Sequence, residues 1–189
     1  KIPDVDSIGA GIGIYRAAKS LNKKTHIVVN NPTMSVRPII QTFKDNPDYD
    51  ENMFIDSDEA RDIVDDNTVV VVVDTNKPSY TECEELLHMS KTIVVLDHHR
   101  QGSEVIQNAV LSYIEPYASS ACEMVAEILQ YFSDDIRIYN IEADALYSGI
   151  IIDTNNFTSK TGVRTFEAAA FLRRCGADVT RVRKMFRDD

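Results

Sequence analysis

The sequence predicts an α/β protein, built as a three-layer αβα sandwich around a mainly parallel sheet. Short runs rich in Val and Ile, such as 69–73 and 92–96, have the length and the β-branched composition of buried strands. Segments with a helical apolar period separate these runs, and that alternation is typical of parallel βαβ units. At 189 residues, without an internal repeat or a linker-like tract, the chain has the length of one domain.

The individual elements follow from local signals along the chain. Strands are predicted where β-branched residues cluster, at 26–29, 53–55, 68–74, 92–97 and, at a sheet edge, 109–114. Helices are predicted at 8–21, 36–43, 57–64, 80–88, 119–132, 141–152, 165–175 and, for a turn or two, 179–186. Two helices open with N-cap residues, Ser57-Asp58 and Ser119-Ser120, and Glu123 is placed as a capping-box partner of the second. Strands therefore fill the first two thirds of the chain and helices the last third.

Composition limits the classes of function. The formal net charge of −10 argues against broad electrostatic capture of long nucleic acids, which normally requires a basic face. No apolar run approaches the length of about 18 residues that a membrane span needs. The three cysteines, Cys83, Cys122 and Cys175, are widely spaced, and we expect reduced thiols of a cytosolic protein. An acidic protein that acts on phosphate needs cations between its acids and the substrate, so metal ions are implied.

Acids and imidazoles stand where two predicted strands end. The run 92–96 is followed by Asp97, His98 and His99, and the run 69–73 is followed by Asp74. Parallel sheets bind ligands at the carboxyl ends of their strands, so we expect these side chains to share one site. Adjacent histidines point in different directions, so one can bind a metal while the other meets the substrate.

Further acids stand at the ends of predicted helices. Asp4 and Asp6 precede the helix at 8–21, and on extended backbone they would face the same side. Asp153 follows the helix at 141–152. Carboxylates mixed with imidazole suit Mn²⁺ or a similar divalent ion, and a shared carboxylate would hold two ions about 3.5–4 Å apart. Taken alone, each acid also fits a structural role, as an N-cap or a turn former, and His26 and His88 are expected to be structural.

The ordered set of motifs resembles the DHH phosphoesterase superfamily over essentially the whole chain. The matching segments are 3–9, 73–74, 97–99 and 153–154. Within the superfamily, 97–102 and 113–123 are similar to the membrane-anchored GdpP-type cyclic-di-AMP phosphodiesterases. The resemblance implies two Mn²⁺ ions whose ligands are Asp4, Asp6, Asp74, His98 and Asp153. It also implies that Asp4 binds the first ion, that Asp74 bridges both, and that His99 contacts the scissile phosphate.

The resemblance also implies parts that the sequence does not contain. The first motif of the superfamily has a histidine four residues before the position of Asp4, which would fall immediately before Lys1, and a strand there. A smaller DHH-associated domain with a glycine-rich motif normally closes the substrate pocket, and no such motif follows Gly176. We therefore expect residues 1–189 to form a DHH catalytic domain that is truncated at the N-terminus and lacks the DHH-associated domain.

The function implied by the resemblance is hydrolysis of cyclic di-AMP to linear pApA by a hydroxide activated by two metal ions. The alternatives are a nanoRNase acting on short oligonucleotides and, from another class, a catalytically silent nucleotide-binding module. A pyrophosphatase is less favoured, because nothing indicates so small a pocket. The implied partner is a cyclic dinucleotide. The implied setting is a cytoplasmic domain of a protein at the cell membrane, with a homodimer left open.

Overall fold

Five parallel strands form the centre of the protein in a computed structural model that describes residues 4–186. Strands β1 and β2 pair with each other, and β4 lies between β3 and β5 in a second sheet. The predicted parallel pairing is confirmed, and β5 lies at an edge as expected. Among the described residues, the strands divide into two sheets rather than one. Their bounds are β1 Ile27–Val28, β2 Phe54–Ile55, β3 Val69–Val73, β4 Thr92–Asp97 and β5 Leu111–Ile114.

Eight α-helices flank the strands within residues 4–186. Their bounds are α1 Val5–Ser20, α2 Arg37–Lys44, α3 Ser57–Ile63, α4 Leu86–Met89, α5 Ala121–Phe132, α6 Asn140–Asp153, α7 Val163–Arg174 and α8 Val179–Met185. Within the described part of the chain, no helix combines the length and the apolar character needed to cross a bilayer. All three cysteines are free thiols, as the sequence predicted.

The alternating side chains of β3 and β4 bury both faces of their sheet. Val71 and Val73 pack with Leu96 into the cluster formed by α1, α5, α6 and α7. Val72 and Val95 face the other way, into a cluster with Leu87 of α4. Because strand side chains alternate with a period of two, a run of consecutive valines fills both layers. This layering confirms the predicted fold class.

Helix α6 passes through the middle of the helical layer, and α1 packs closely along it. A Cβ added to Gly149 would lie 2.3 Å from Cys122 Sγ, and one added to Gly9 would lie 2.6 Å from the carbonyl oxygen of Ala145. Glycine at these two positions therefore permits the close approach of α1, α5 and α6. This crossing brings the first turn of α1 next to the start of α5.

Two buried acids near the start of α6 are paired with arginines. Glu142 is fully buried, accepts two hydrogen bonds from Arg16 Nε at 2.9 and 3.0 Å, and also accepts one from the Tyr49 hydroxyl. Asp144 is 2% exposed and accepts from Arg181 Nε at 2.5 Å. Charge-assisted pairs of this kind satisfy buried carboxylates and join α6 to α1 and α8.

Some predicted helix boundaries are wrong, for local reasons. Helix α1 begins at Val5 rather than at residue 8, because Asp4 is its N-cap. Asp56 caps α3 in place of the predicted Ser57-Asp58, and its side chain accepts from the Glu59 amide. The predicted helix at 80–88 is a 3₁₀ turn at Pro78–Tyr80 followed by the short helix α4. A side-chain acceptor at one position earlier is enough to shift a helix start.

Other boundaries agree closely with prediction. Strand β4 matches its predicted range of 92–97 residue for residue. Ser120 caps α5 by accepting from the Glu123 amide, as predicted. The predicted capping box is wrong, because the Glu123 side chain accepts from the Ser119 amide and not from the amide of the N-cap residue. Gly176, with φ of 106°, follows the end of α7, in the left-handed conformation that glycine adopts most easily.

Candidate metal centre

Four of the six predicted site residues converge at the carboxyl ends of β3 and β4. Asp74 directly follows β3 and His98 directly follows β4. Asp6 comes from the first turn of α1, and Asp153 is the last residue of α6. Residues from four different elements therefore meet at one edge of the sheet, which is where parallel sheets bind ligands.

The imidazole of His98 lies at the centre of this cluster. Its Nε2 is 3.2 Å from Asp74 Oδ1, 3.5 Å from Asp6 Oδ2 and 3.6 Å from Asp153 Oδ2. The atom is buried and makes no hydrogen bond within residues 4–186. A buried ring nitrogen aimed at three carboxylate oxygens fits the donor set of a divalent cation with mixed oxygen and nitrogen ligands.

The carboxylate of Asp6 is held by the start of α5. Its Oδ2 accepts from the Ala121 amide and its Oδ1 from the Cys122 amide, both at 2.8 Å. These are orphan N–H groups of the first helical turn, where the helix dipole favours negative charge. Cys122 Sγ also donates to the backbone oxygen of Asp6 at 3.2 Å. Asp6 is thereby fixed in position by residues 115 and 116 positions away in the sequence.

The acids of the cluster repel one another. Burial raises the pKa of Asp6 well above its usual value, and the charges of Asp74 and Asp153 raise it further, against the lowering effect of the α5 amides. Burial likewise raises the pKa of Asp153, with Asp74 as the next cause. Within residues 4–186, no lysine or arginine forms an ion pair with Asp6 or Asp153. A bound cation would stabilise the acids of the cluster in their ionised form.

The backbone at Asp74 adopts an uncommon conformation. Its φ of 62° lies in the left-handed region, which Asp and Asn tolerate better than most residues. The Asp74 amide donates to the Leu96 carbonyl at 3.0 Å, which extends the β3–β4 ladder by one residue. The strand pairing therefore holds a strained residue in the cluster, as is common at functional sites.

His99 turns its ring towards Asp97 and also lies near Asp74. Its Nδ1 is 2.7 Å from Asp97 Oδ1 and 3.8 Å from Asp74 Oδ1, and the side chain is 50% exposed. The two histidine rings have centroids 4.2 Å apart, and Asp97 is fully buried. Both histidines therefore lie near Asp74, and the expectation that they serve different partners stays a prediction.

Asp4 lies at the start of α1 and not on an extended segment shared with Asp6. It is the N-cap of α1, with its Oδ1 accepting from the Ser7 amide at 2.8 Å, and it is exposed. Asp6 is already helical, so the two acids are not alternate residues of one extended segment. The argument from strand-like alternation is wrong at this point. Asp4 lies close enough for its charge to contribute, as the weakest cause, to the raised pKa of Asp153.

Two residues of the site have no counterpart among the predicted ones. Asn76 is 3% exposed, and its Nδ2 lies 2.7 Å from Asp97 Oδ2. Cys122 supplies an amide and a thiol to Asp6. A polar residue two positions after a strand-end acid is a weak signal that could have indicated Asn76. No local signal indicates Cys122, because its partner is distant in sequence.

Comparison with known proteins gives consistent matches. The family model described as "DHH family, N-terminal domain" matches residues 1–150. The cyclic-di-AMP phosphodiesterase GdpP of Bacillus subtilis (strain 168) is 46% identical over 192 residues, covering 100% of this chain and 29% of that protein. The protein of the same name from Geobacillus thermodenitrificans (strain NG80-2) is 40% identical over 190 residues, with the same coverage of both chains. The chain thus spans 29% of the length of these relatives.

Among solved structures, an exopolyphosphatase-related protein from Bacteroides fragilis superposes with a TM-score of 0.78. The match covers 99% of this chain and 54% of that one, at 20% sequence identity. At this level of identity the likeness concerns the fold alone.

Proposed function

Because this chain belongs to the DHH family, we propose that it forms the catalytic domain of a metal-dependent phosphodiesterase that opens cyclic di-AMP to linear pApA. Two relatives named as cyclic-di-AMP phosphodiesterases match its whole length. The observation that carries the proposal is the buried His98 Nε2, which lies within 3.6 Å of carboxylate oxygens from three different aspartates. That arrangement has little use in a structural core and suits a metal-binding phosphoesterase.

Two Mn²⁺ ions are the proposed cofactor. Asp6, His98 and Asp153 would hold one ion, Asp4 would bind the other, and Asp74 would bind both. Oxygen donors with a single imidazole suit manganese better than a metal that prefers thiolate. When bound, the ions would supply positive charge that neutralises phosphate oxygens and lowers the pKa of bound water, so that hydroxide is available near neutral pH. Without them, the acids at this sheet edge would repel a phosphate.

The chain's own residues orient the reaction. His99, held through Nδ1 by Asp97, contacts the scissile phosphate. The start of α5 keeps the Asp6 carboxylate aimed at the cluster, so little reorganisation is needed when the substrate arrives. Hydrolysis adds one water to one phosphorus and breaks one P–O3′ bond. A cyclic dinucleotide therefore becomes a linear dinucleotide with a 5′-phosphate.

The setting of the complete protein is also a proposal. Residues 1–189 act as the DHH catalytic domain, and a DHH-associated domain elsewhere in the complete protein closes the substrate pocket. The complete protein is anchored at the cell membrane with this domain in the cytoplasm, and it works as a homodimer. These points rest on the resemblance to the membrane-anchored subfamily and on the greater length of the relatives.

The test is turnover of cyclic di-AMP by the complete protein, followed by chromatography of the products. We expect linear pApA to form with Mn²⁺, to stop forming after chelation with EDTA, and to form again after Mn²⁺ is restored. Faster turnover of short RNA would instead favour the nanoRNase. Binding of cyclic di-AMP without any hydrolysis, at every divalent cation tried, would favour the silent nucleotide-binding module.

A further inference from the structure

Asn76 links the end of β3 to the Asp97-His98-His99 segment. Its Nδ2 donates to Asp97 Oδ2 at 2.7 Å and lies 3.3 Å from the backbone oxygen of His99. The residue is 3% exposed. One side-chain amide therefore contacts both the carboxylate that faces the His99 ring and the backbone that carries this ring.

Asp97 is a fully buried carboxylate whose partners are all N–H groups of this segment and Asn76. Its Oδ1 accepts from the His98 amide at 2.9 Å and pairs with His99 Nδ1 at 2.7 Å, while its Oδ2 is bound by Asn76. Within residues 4–186, no lysine or arginine forms an ion pair with it. Asn76 is thus the only side chain shown to donate to Oδ2 in the described part of the chain.

We propose that Asn76 is a positioning residue, which acts through Asp97 to fix the orientation and the tautomer of His99. This inference rests on the proposed function, in which His99 contacts the scissile phosphate. With Nδ1 engaged by Asp97, the contact with phosphate is assigned to Nε2. A hydrogen bond at one ring nitrogen determines whether the other nitrogen carries a proton. Asn76 therefore affects how the His99 ring binds the phosphate, although Asn76 itself contacts only Asp97 and the His99 backbone in this chain of contacts.

The geometry gives each group in this chain one hydrogen-bonding role. A carboxylate oxygen accepts hydrogen bonds, so the Nδ1–H tautomer of His99 fits the 2.7 Å contact with Asp97 Oδ1. The Asn76 amide has its Nδ2 facing Asp97, because the reversed amide would place Oδ1 against a carboxylate oxygen. Removal of Nδ2 would leave Asp97 Oδ2 buried without a donor, and the carboxylate would then rotate towards other donors.

The other half of the amide indicates why asparagine is present. Asn76 Oδ1 is buried and accepts no hydrogen bond from residues 4–186. A buried acceptor without a donor is costly, and a native protein retains it where the group serves another purpose. The local loop does not need this side chain, because the backbone oxygen of Asn76 accepts from the Ile106 amide whatever the side chain is.

The first test is nuclear magnetic resonance of this chain with ¹⁵N-labelled histidine. The His99 signals are assigned by their loss in His99→Gln, and the ring shifts show which nitrogen carries the proton. We expect the Nδ1–H form in the native chain and a mixture of forms in Asn76→Leu, which keeps the approximate size without a donor. Asn108→Leu is the matched control, because the Asn108 side chain donates to the Leu87 carbonyl at 2.8 Å and to no other group within residues 4–186. An unchanged His99 tautomer in Asn76→Leu would overturn the proposal.

The second test separates positioning from metal binding. In the complete protein, Asn76→Leu should lower kcat for cyclic di-AMP about 10- to 100-fold, which is the usual effect of losing an outer partner. The rise in melting temperature caused by Mn²⁺ should stay within 1 °C or so of that of the native chain, because the proposed ligands are untouched. Loss of this rise would mean that Asn76 acts on the metal cluster, and the proposal would be wrong.

A third variant covers the case in which Asn76→Leu does not fold. Asn76→Ser keeps a short donor, so it should retain part of the Nδ1–H form and lose less kcat than Asn76→Ala. Equal kcat and equal tautomer populations in the serine and alanine variants would contradict the positioning role. If the native protein fails to hydrolyse cyclic di-AMP, the proposed function falls, whereas the tautomer measurement still decides whether Asn76 controls His99.

Discussion

Acids lie at both ends of helix α6, but within residues 4–186 the ion pairs between acids of α6 and arginines are at its N-terminal end. Near the N-terminal end, Glu142 lies 2.7 Å from an arginine nitrogen and Asp144 lies 2.5 Å from another. At the C-terminal end, Asp153 faces two further acids and a histidine, and no arginine or lysine pairs with it in residues 4–186. The helix dipole sharpens this contrast, because it favours acids at its N-terminus and disfavours them at its C-terminus.

The contrast between the two ends of α6 distinguishes acids that stabilise the fold from acids that serve a binding site. The charge of a carboxylate that binds an arginine through two hydrogen bonds is neutralised, and the pair mainly holds the surrounding helices together. In the acid cluster, burial and the charge of Asp74 raise the pKa values of Asp6 and Asp153. We expect a cation to bind such a cluster and neutralise its charge. Four experiments test this contrast.

The largest effect is expected from Asp74→Asn. Asparagine tolerates the left-handed backbone at this position, so the substitution removes charge with little strain. Turnover of cyclic di-AMP by the complete protein should fall about 10³-fold, or about 4 kcal/mol in barrier, because the proposed bridging ligand is lost. The metal-free chain should melt at the same or a higher temperature, because repulsion within the cluster is relieved.

Asp66→Asn is the matched control for this substitution, because the Asp66 side chain is 70% exposed and forms a surface ion pair with Lys91. Its turnover should stay at the native level. A fall of less than tenfold in Asp74→Asn would mean that Asp74 does not bridge the ions.

Glu142→Gln tests the opposite end of α6. Arg16, whose side chain is 16% exposed, would lose its bidentate partner, and we expect the free energy of unfolding to fall by about 3 kcal/mol. The melting temperature should fall by about 6–12 °C, measured by circular dichroism. Turnover per folded molecule should be unchanged. Glu84→Gln, at an exposed position, serves as the control, and an equal loss in both variants would refute the structural role of Glu142.

Manganese should stabilise the native chain by completing the acid cluster. At a concentration of one hundred times the dissociation constant, binding adds about 2.7 kcal/mol, which corresponds to a rise of about 5–10 °C in melting temperature. EDTA should reverse the rise. Asp153→Asn should reduce it and Glu142→Gln should keep it, because only the first substitution alters the cluster. A rise of equal size in both variants would show that the ion binds elsewhere.

Ser120→Ala should have the smallest effect of the four. Its hydroxyl accepts from the Glu123 amide at 3.0 Å as the N-cap of α5, so its loss should cost about 1 kcal/mol. Because the same helical turn holds Asp6, the affinity for Mn²⁺ should fall slightly as well, as titration calorimetry can measure. Ser103→Ala, on an exposed loop, is the control and should change neither quantity.

The strand-end half of the site could be predicted from the sequence because its signals are local. A β-branched run that stops at a polar residue fixes both the end of the strand and the edge of the sheet. Strand β4 and the convergence of Asp74 with His98 followed from this pattern. The acids joined by long-range contacts were harder to place. Asp6 was expected on extended backbone, but it lies in the first turn of α1.

The remaining features depend on packing that no short window of sequence contains. The amides that hold Asp6 come from α5, whose position depends on glycines of α1 and α6. The predicted helix at 80–88 had the right apolar residues, since Leu86 and Leu87 are buried, but only four residues of it form an α-helix. The role of Asn76 depends on its 2.7 Å contact with Asp97, which is 21 residues away in the sequence.

Chemical labelling of Cys122 can measure how often the helix packing around it opens. The thiol is fully buried between Gly9 and Gly149, and burial raises its pKa well above the usual value. A thiol-reactive dye can therefore modify Cys122 only while α1 stands away from α6, whereas the partly exposed Cys175 reacts without such an opening. The ratio of the two labelling rates would measure how often the acid cluster opens, and bound Mn²⁺ should slow the labelling of Cys122 alone.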